Sequence, residues 1–142
     1  MNFDEIIAVT GLGGLYRMVA NRSNGLIVEE LGSGKRRFAS ARKHQFTPLA
    51  SIGIYTEDGD TMELKKVFRN MEDQYEDNPP IDVNSPAEAL HEYFSDVLPS
   101  YDSDRVKTAD IKKVIKWFIF LKEGNMLTLE DADDNTKNNP EA

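Results

Sequence analysis

The stretch LYRMVANRSNGLIVEEL, residues 15–31, holds two apolar runs separated by Asn24-Gly25. An Asn-Gly pair between two such runs is the strongest short-range signal for a β-hairpin. We therefore predict strands over 15–21 and 26–31, joined by a tight turn at 22–25. This hairpin sets the interpretation of the sequence on either side of it.

Similar strand signals flank the hairpin. Short segments at 6–10, 35–40 and 51–56 are also interpreted as strands, and each adjoins a glycine-containing turn, among them Gly11-Leu12-Gly13-Gly14. Five short strands with tight turns in about 60 residues fit a small closed or half-closed barrel better than an open sheet, because closure removes exposed edges. The N-terminal half is therefore predicted to be a compact β-barrel.

Helical spacing replaces this pattern in the second half. Apolar residues recur at helical intervals over 61–75, and the sequence EDNPP at 76–80 then breaks the pattern. A second helix is predicted from Ser85, with Pro86 at its first position, and a third from Thr108 to Gly124. The fold class expected is α+β, with a small barrel followed by a short helical domain.

The third helix carries more apolar surface than one stripe needs. Its main stripe includes Phe118 and Leu121, while Trp117, Ile119 and Phe120 lie beyond it. Two helices cannot enclose a core of their own, so they must bury these stripes on each other, on the barrel or on another subunit. Two readings stay open: a core within the chain, or a protein interface that includes Trp117 and Phe120.

Composition limits the class of protein. The 142 residues include no cysteine, which excludes disulfides and thiolate zinc sites and favours a reducing, cytoplasmic environment. No apolar run is long enough to cross a membrane. Net charge is −8 but uneven, at +2 over 1–70 and −10 over 71–142. The predicted domains are 1–75 for the barrel and a trailing helix, 81–125 for the helical part, and 126–142 for an acidic disordered tail.

Reactive groups are sparse. The loop at 11–14 lacks the third glycine of a dinucleotide-binding turn and the lysine of a nucleotide-triphosphate loop, so we interpret it as a structural turn. His44 and His91 show no ligand spacing, and Ser95 stands where a zinc-protease helix would need its second histidine. Glu29 and Glu30 are adjacent, so on a strand they point to opposite faces. We predict no catalytic residue, no cofactor and no metal.

A basic strip is the most distinctive feature of the sequence. It joins one aromatic to five cations; its members are Lys35, Arg36, Arg37, Phe38, Arg42 and Lys43. Cations neutralise phosphates and an aromatic side chain stacks on bases, so the strip is a candidate nucleic-acid surface. Two alternatives stay open: a solvated edge strand protected by charge, or a surface covered by the acidic half of the same chain.

Several of these segments together resemble a known family. Gly14-Leu15-Tyr16, the run NGLIVE at 24–29 and Ile54-Tyr55 look like the SH3-like small barrels. More closely, the chain resembles an uncharacterised bacterial domain-of-unknown-function family, in which such a barrel precedes a helical domain with an Asp-Ile-Lys-Lys…Trp motif. That motif is matched by DIKK at 110–113 and by Trp117. The resemblance implies the architecture and no activity.

The function predicted from these observations is non-enzymatic. We expect a binding or scaffold protein that acts through protein–protein contacts, with a protein partner or self-association through the helix around Trp117. The alternative is an RNA- or DNA-associated protein that binds through the basic strip.

Overall fold

The computed structural model describes residues 3–127. Within these residues, a five-stranded antiparallel sheet and a two-stranded sheet accompany three α-helices. The strands are β1 (Ile6–Val9), β2 (Tyr16–Arg22), β3 (Gly25–Glu30), β4 (Arg36–Ser40), β5 (Phe46–Pro48), β6 (Gly53–Tyr55) and β7 (Thr61–Glu63). The helices are α1 (Leu64–Asp73), α2 (Ala87–Val97) and α3 (Thr108–Glu123), and 3₁₀ turns occupy Phe3–Glu5 and Leu49–Ser51. The predicted α+β class is confirmed.

The hairpin predicted around Asn24-Gly25 is present, with Arg22 opposite Gly25. Glycine usually occurs in an Asn-Gly turn because the backbone there is left-handed. Neither Asn24 nor Gly25 has a positive φ, so the glycine has another cause here. A Cβ at Gly25 would instead overlap the carbonyl oxygen of Ala39 and lie 2.9 Å from Cζ of Phe38. The ring of Phe38 thus covers the glycine from the next strand.

The fifth strand of the sheet was predicted wrongly. Residues 51–56 do not join the large sheet; Gly53–Tyr55 instead pairs with Thr61–Glu63 across a turn in which Thr56 N donates to Asp60 O at 2.9 Å. The position beside β1 is taken by Phe46–Pro48, in a stretch too short and polar to show a strand pattern. Helix α1 accordingly begins three residues later than position 61, where the predicted helix begins.

The sheet does not close in the part of the chain that is described. Its strand order is β4-β3-β2-β1-β5, and no pairing joins the two end strands there. One face of the sheet carries a small apolar cluster that is separate from the main core, comprising Ile7, Val9, Tyr16, Val28 and Ala39. Met18, on the same face, is 50% exposed. The predicted closed or half-closed barrel is therefore seen as an open five-stranded sheet.

The main core joins the helices to the other face of the sheet. Phe68 of α1 lies between Phe3 and Phe118, with ring centroids 5.7 and 5.8 Å away. Phe118 and Leu121 of α3 are fully buried in the same cluster as Ile6 of β1. The apolar stripe of α3 is thus covered within the chain by α1, α2 and the sheet. The domain boundaries at 75 and 81 stay a prediction, and most of the predicted tail, 128–142, lies outside the described residues.

Replacing Gly25 by alanine tests the close contact between β3 and β4. We expect Gly25→Ala to lower the free energy of unfolding by about 1–3 kcal/mol, because the new methyl group forces strand β4 away. Urea denaturation followed by circular dichroism measures the change. Gly13→Ala is the matched control, since a Cβ there meets nothing within 4 Å and its φ is not positive. Equal stability of the two variants would contradict the interpretation.

Tyr93 offers a second test, because its buried hydroxyl has no hydrogen-bond partner among residues 3–127. Burial, with a smaller effect from Asp96, raises the pKa of Tyr93 to about 12 from 10.0. The unfolded chain therefore loses this proton first, so stability falls as pH rises from 10 towards 12. We expect Tyr93→Phe to unfold with equal or up to about 1 kcal/mol higher free energy at pH 8, and to lose less at pH 11. Urea titrations at both pH values measure these free energies of unfolding. A variant clearly less stable than wild type at pH 8 would show that the hydroxyl has a hydrogen-bond partner and would contradict the interpretation.

Candidate functional site

A groove runs between α3 and the strands that face it. Two adjoining cavities of about 230 and 370 Å³ form it, and both are lined by Ile52, Lys113 and Trp117. Phe118 and Leu121 bury one side of α3 in the main core, with Phe118 against Phe68 of α1, whereas Trp117 stays only half buried beside the groove. These shared residues make the two cavities one continuous surface.

The first cavity lies between β6 and the start of α3. Arg105 sits over the ring of Tyr55, 5.0 Å from its centroid, and its Nε is 3.8 Å from an Asp102 carboxylate oxygen. Asp110 accepts a hydrogen bond from the backbone N–H of Lys107 at 3.0 Å, so its charge caps α3. Arg105 and Asp110, the two charged residues at this end of the groove, thus already have partners within the described chain.

Lys113 is the cation common to both cavities. It is exposed, and no ion pair or hydrogen bond engages its ammonium group among residues 3–127. Because Lys113 lines the same groove as Trp117 and the aliphatic Ile52, the groove offers an apolar contact and a positive charge together. This combination suits an apolar side chain with a carboxylate close to it.

The second cavity is bounded by the turn after β1. His44 Nδ1 lies 2.6 Å from the Thr10 carbonyl oxygen, and Thr10 Oγ1 accepts a hydrogen bond from Gln45 N at 2.7 Å. Gly11, with φ of 86°, packs against the ring of His44. The glycine loop is therefore a structural turn, as the sequence predicted. It also lines the groove, and His44 is a structural contact within it.

The two predicted interface residues do not share a surface. Trp117 lines both cavities. Phe120 lines neither of them and instead packs over Gly32, where a Cβ would lie 3.5 Å from its Cζ. Sequence reasoning missed Lys113 as a partner of Trp117, although their spacing of four residues places both on one side of α3. The i, i+4 spacing of these two residues is therefore the sequence signal for this pair.

The basic strip lies on and beside β4, the end strand of the sheet. All six members are exposed. Strand alternation divides them, however: Arg36 and Phe38 point to one face, and Arg37 points to the other. Arg42 and Lys43 follow in the turn after the strand. The sequence placed these residues together, whereas the structure distributes their charges over both sides of the sheet edge.

Glu29 lies within this charge cluster. Its carboxylate accepts hydrogen bonds from Arg36 Nε at 3.0 Å and from Arg17 Nη2 at 3.2 Å. Hydrogen bonds from Arg36 and then Arg17 hold the pKa of the Glu29 carboxyl below its ordinary value of 4.5. Arg36 and Arg17 thus share one carboxylate, so this group of three keeps a net positive charge, while Arg37 and Lys35 have no ion-pair partner in the described part of the chain.

The remaining histidine belongs to the helix packing. Its ring nitrogens lie 2.8 Å from the Tyr101 hydroxyl and 3.1 Å from the Thr108 hydroxyl, so His91 joins α2 to the start of α3. Between residues 3 and 127, no group of three or more His, Cys, Asp or Glu side chains could hold a metal ion. No helix in that range is long and apolar enough to cross a membrane.

Comparison with known proteins identifies relatives without a described activity. A family model described as "Domain of unknown function (DUF5606)" matches residues 3–49, and one described as "Domain of unknown function (DUF6852)" matches residues 52–121. No curated protein matches the chain. A solution NMR structure of a Bacteroides vulgatus protein from a structural genomics consortium shares 33% identity and a TM-score of 0.68, covering 87% of this chain and 88% of that chain. The predicted resemblance to a bacterial domain-of-unknown-function family is confirmed.

The Glu29 cluster predicts a pH-dependent contribution to stability. Because its pKa is lowered on folding, Glu29 stabilises the native state above pH 4.5, and this stabilisation is lost as pH falls through the lowered folded-state pKa. We expect Glu29→Gln to be less stable than wild type at pH 7 and nearly equal to it at pH 3. Thermal unfolding at both pH values measures the difference. Glu57→Gln is the control, since that exposed carboxylate has no ion pair within 3–127; the same pH trend in both variants would remove Glu29 as the cause.

Proposed function

We propose a function for this chain from one premise: it belongs to a bacterial domain-of-unknown-function family that includes the Bacteroides vulgatus protein. The protein is a non-enzymatic binding or scaffold protein that acts through protein–protein contacts. The groove centred on Trp117 and Lys113 is where its partner binds. The single observation that carries this proposal is the pair of adjoining cavities that share these two residues.

The lining of the groove indicates the chemistry of the partner. Trp117 and Ile52 offer half-buried apolar surface, and tryptophan is enriched at the centres of protein interfaces. Lys113 adds a positive charge that has no ion pair within the described part of the chain. The partner segment therefore presents an apolar side chain to Trp117 and a carboxylate to Lys113. Charge complementarity of this kind contributes to specificity and to the association rate.

Nucleic-acid binding through the basic strip is the weaker alternative. A phosphate backbone needs cations on one surface, whereas Arg36 and Arg37 point to opposite faces, and Arg36 already donates a hydrogen bond to Glu29. The net charge of −8 also opposes a polyanion. These observations favour a protein partner over RNA or DNA.

We also propose that the sheet has the form of an SH3-like small barrel and that the protein is cytoplasmic. A four-strand meander whose fifth strand returns to β1 is the strand order of an SH3-like small barrel, and the irregularity in β2 between Met18 and Ala20 bends the sheet towards closure. We place the protein in the cytoplasm, which its lack of cysteine favours. The absence of an enzymatic activity stays a prediction.

Charge reversal in the groove tests the proposed function. Affinity capture from a native lysate with full-length wild-type protein identifies bound proteins by mass spectrometry. We expect a bound partner to be lost with Lys113→Glu and retained with Lys116→Glu. Lys116 makes the same charge change on the same helix, but it lines neither cavity. A partner captured equally by both variants would contradict a role for the groove.

Fluorescence then locates the partner. The chain has one tryptophan, so its emission reports on the groove alone. Titration with the purified partner is expected to shift the emission of Trp117 to shorter wavelength, because the half-exposed indole loses contact with water. A partner that binds without changing this emission occupies another surface, and the proposal then fails.

A further inference from the structure

The outer edge of β4 is open along its length. β4 ends the sheet order, and none of the strands described between residues 3 and 127 pairs with its outer side. Hydrogen bonds from Ala41 N to Asn24 O at 2.9 Å and from Glu30 N to Lys35 O at 2.8 Å fix which groups face β3. By the alternation of an antiparallel ladder, the N–H groups of Arg36, Phe38 and Ser40 point outward. The carbonyls of Arg36 and Phe38 do so as well.

An open edge of this kind is a template for another strand. The carbonyl of Ser40 accepts from Lys43 N and His44 N, so the edge ends there. This leaves five backbone groups in a row without a partner in the described structure. They are sufficient to hydrogen-bond a short extended segment, the mode of recognition known as strand addition.

The side chains along this edge define the charge of such a segment. A paired strand sends alternate side chains to the two faces of the sheet, and β4 presents Arg36 on one face and Arg37 on the other. This division of cations between two faces is unsuited to a phosphate backbone, which contacts one surface. It suits an added strand, because the side chains of a strand reach both faces and meet both cations. Phe38, 42% exposed, faces the centre of the segment, where a β-branched residue would pack on it.

We propose that β4 binds an acidic, extended segment of a partner protein by strand addition, with carboxylates opposite Lys35, Arg36 and Arg37. This surface is separate from the groove along α3 and does not depend on the function assigned to it. A second copy of the chain is a poor occupant, because it would bring the same cations towards each other across the new ladder. A nucleic acid would use the charges but not the row of backbone groups.

A synthetic peptide tests the proposal directly. The peptide is acetyl-Thr-Val-Ile-Glu-Glu-Glu-amide, which in antiparallel register places isoleucine at Phe38 and glutamates at Arg37, Arg36 and Lys35. Titration into full-length ¹⁵N-labelled protein is followed by NMR. We expect shift changes concentrated in β4, with slower solvent exchange at the amides of Arg36, Phe38 and Ser40. The proposal is overturned if the changes are absent or lie elsewhere.

Matched variants separate backbone pairing from charge. Arg37→Gln with Lys35→Gln is expected to weaken binding by roughly tenfold, since each removes one cross-strand ion pair. Arg36→Gln is expected to bind more weakly than wild type, and Arg36→Pro to lose binding, because proline also removes an outward N–H while leaving the ladder to β3 intact. Lys116→Gln should bind normally. Unaltered ¹⁵N spectra away from β4 show that each variant folds.

Control ligands decide between occupants. A peptide with lysine for each glutamate, and a peptide N-methylated at the amides that face β4, should both fail to bind. Equal binding of the N-methylated peptide would overturn strand addition in favour of simple charge attraction. A ten-nucleotide oligouridylate that binds more tightly than the peptide would overturn the choice of a protein partner. Two further results would overturn the proposed occupant of β4: dimerisation that is lost with Arg36→Pro, and peptide binding that appears only after removal of residues 128–142.

Discussion

Phe68 holds the protein together by contacting both ends of the described chain. Its ring packs edge-on against Phe3, before the first strand, and against Phe118 in the last helix. Burial of a phenylalanine contributes about 1.5–3 kcal/mol, and aromatic pairs contribute slightly more beyond the buried area. Because α2 and α3 cannot enclose a core alone, α1 supplies the surface that covers them. The sheet and the helices consequently share one core.

The groove beside Trp117 follows from this packing. The deeply buried side of α3 is turned towards α1 and α2, so its opposite edge meets the strands only partly. The turn after β1 and strand β6, which belongs to the hairpin of β6 and β7, form the far wall. A hydrogen bond from Asp102 N to Tyr55 O, 2.9 Å long, fixes that hairpin to the loop before α3. The cavity is thus bounded by elements that are themselves firmly held.

Several elements could be predicted because they depend on local patterns. The hairpin of β2 and β3 follows from two apolar runs about a turn, and α2 and α3 follow from stripes at helical spacing. The missed strand β5 has three residues and contains Pro48; it exists because β1 offers an edge, which no local pattern reveals. The two residues predicted for an interface are likewise separated: Trp117 lines the groove, whereas Phe120 covers Gly32.

The sequence by itself determined the alternation of strands and helices, the charge asymmetry and the presence of a basic strip, since these are properties of neighbouring residues. Only the tertiary structure decided that the end strands of the sheet do not pair between residues 3 and 127, that Arg36 shares Glu29 with Arg17 while Arg37 lies on the opposite face, and that Lys113 accompanies Trp117 in a groove. Those outcomes depend on which distant segments meet across the core. Pairing between strands and helices far apart in the chain is set by the total burial it achieves, and no single stretch of sequence contains that information.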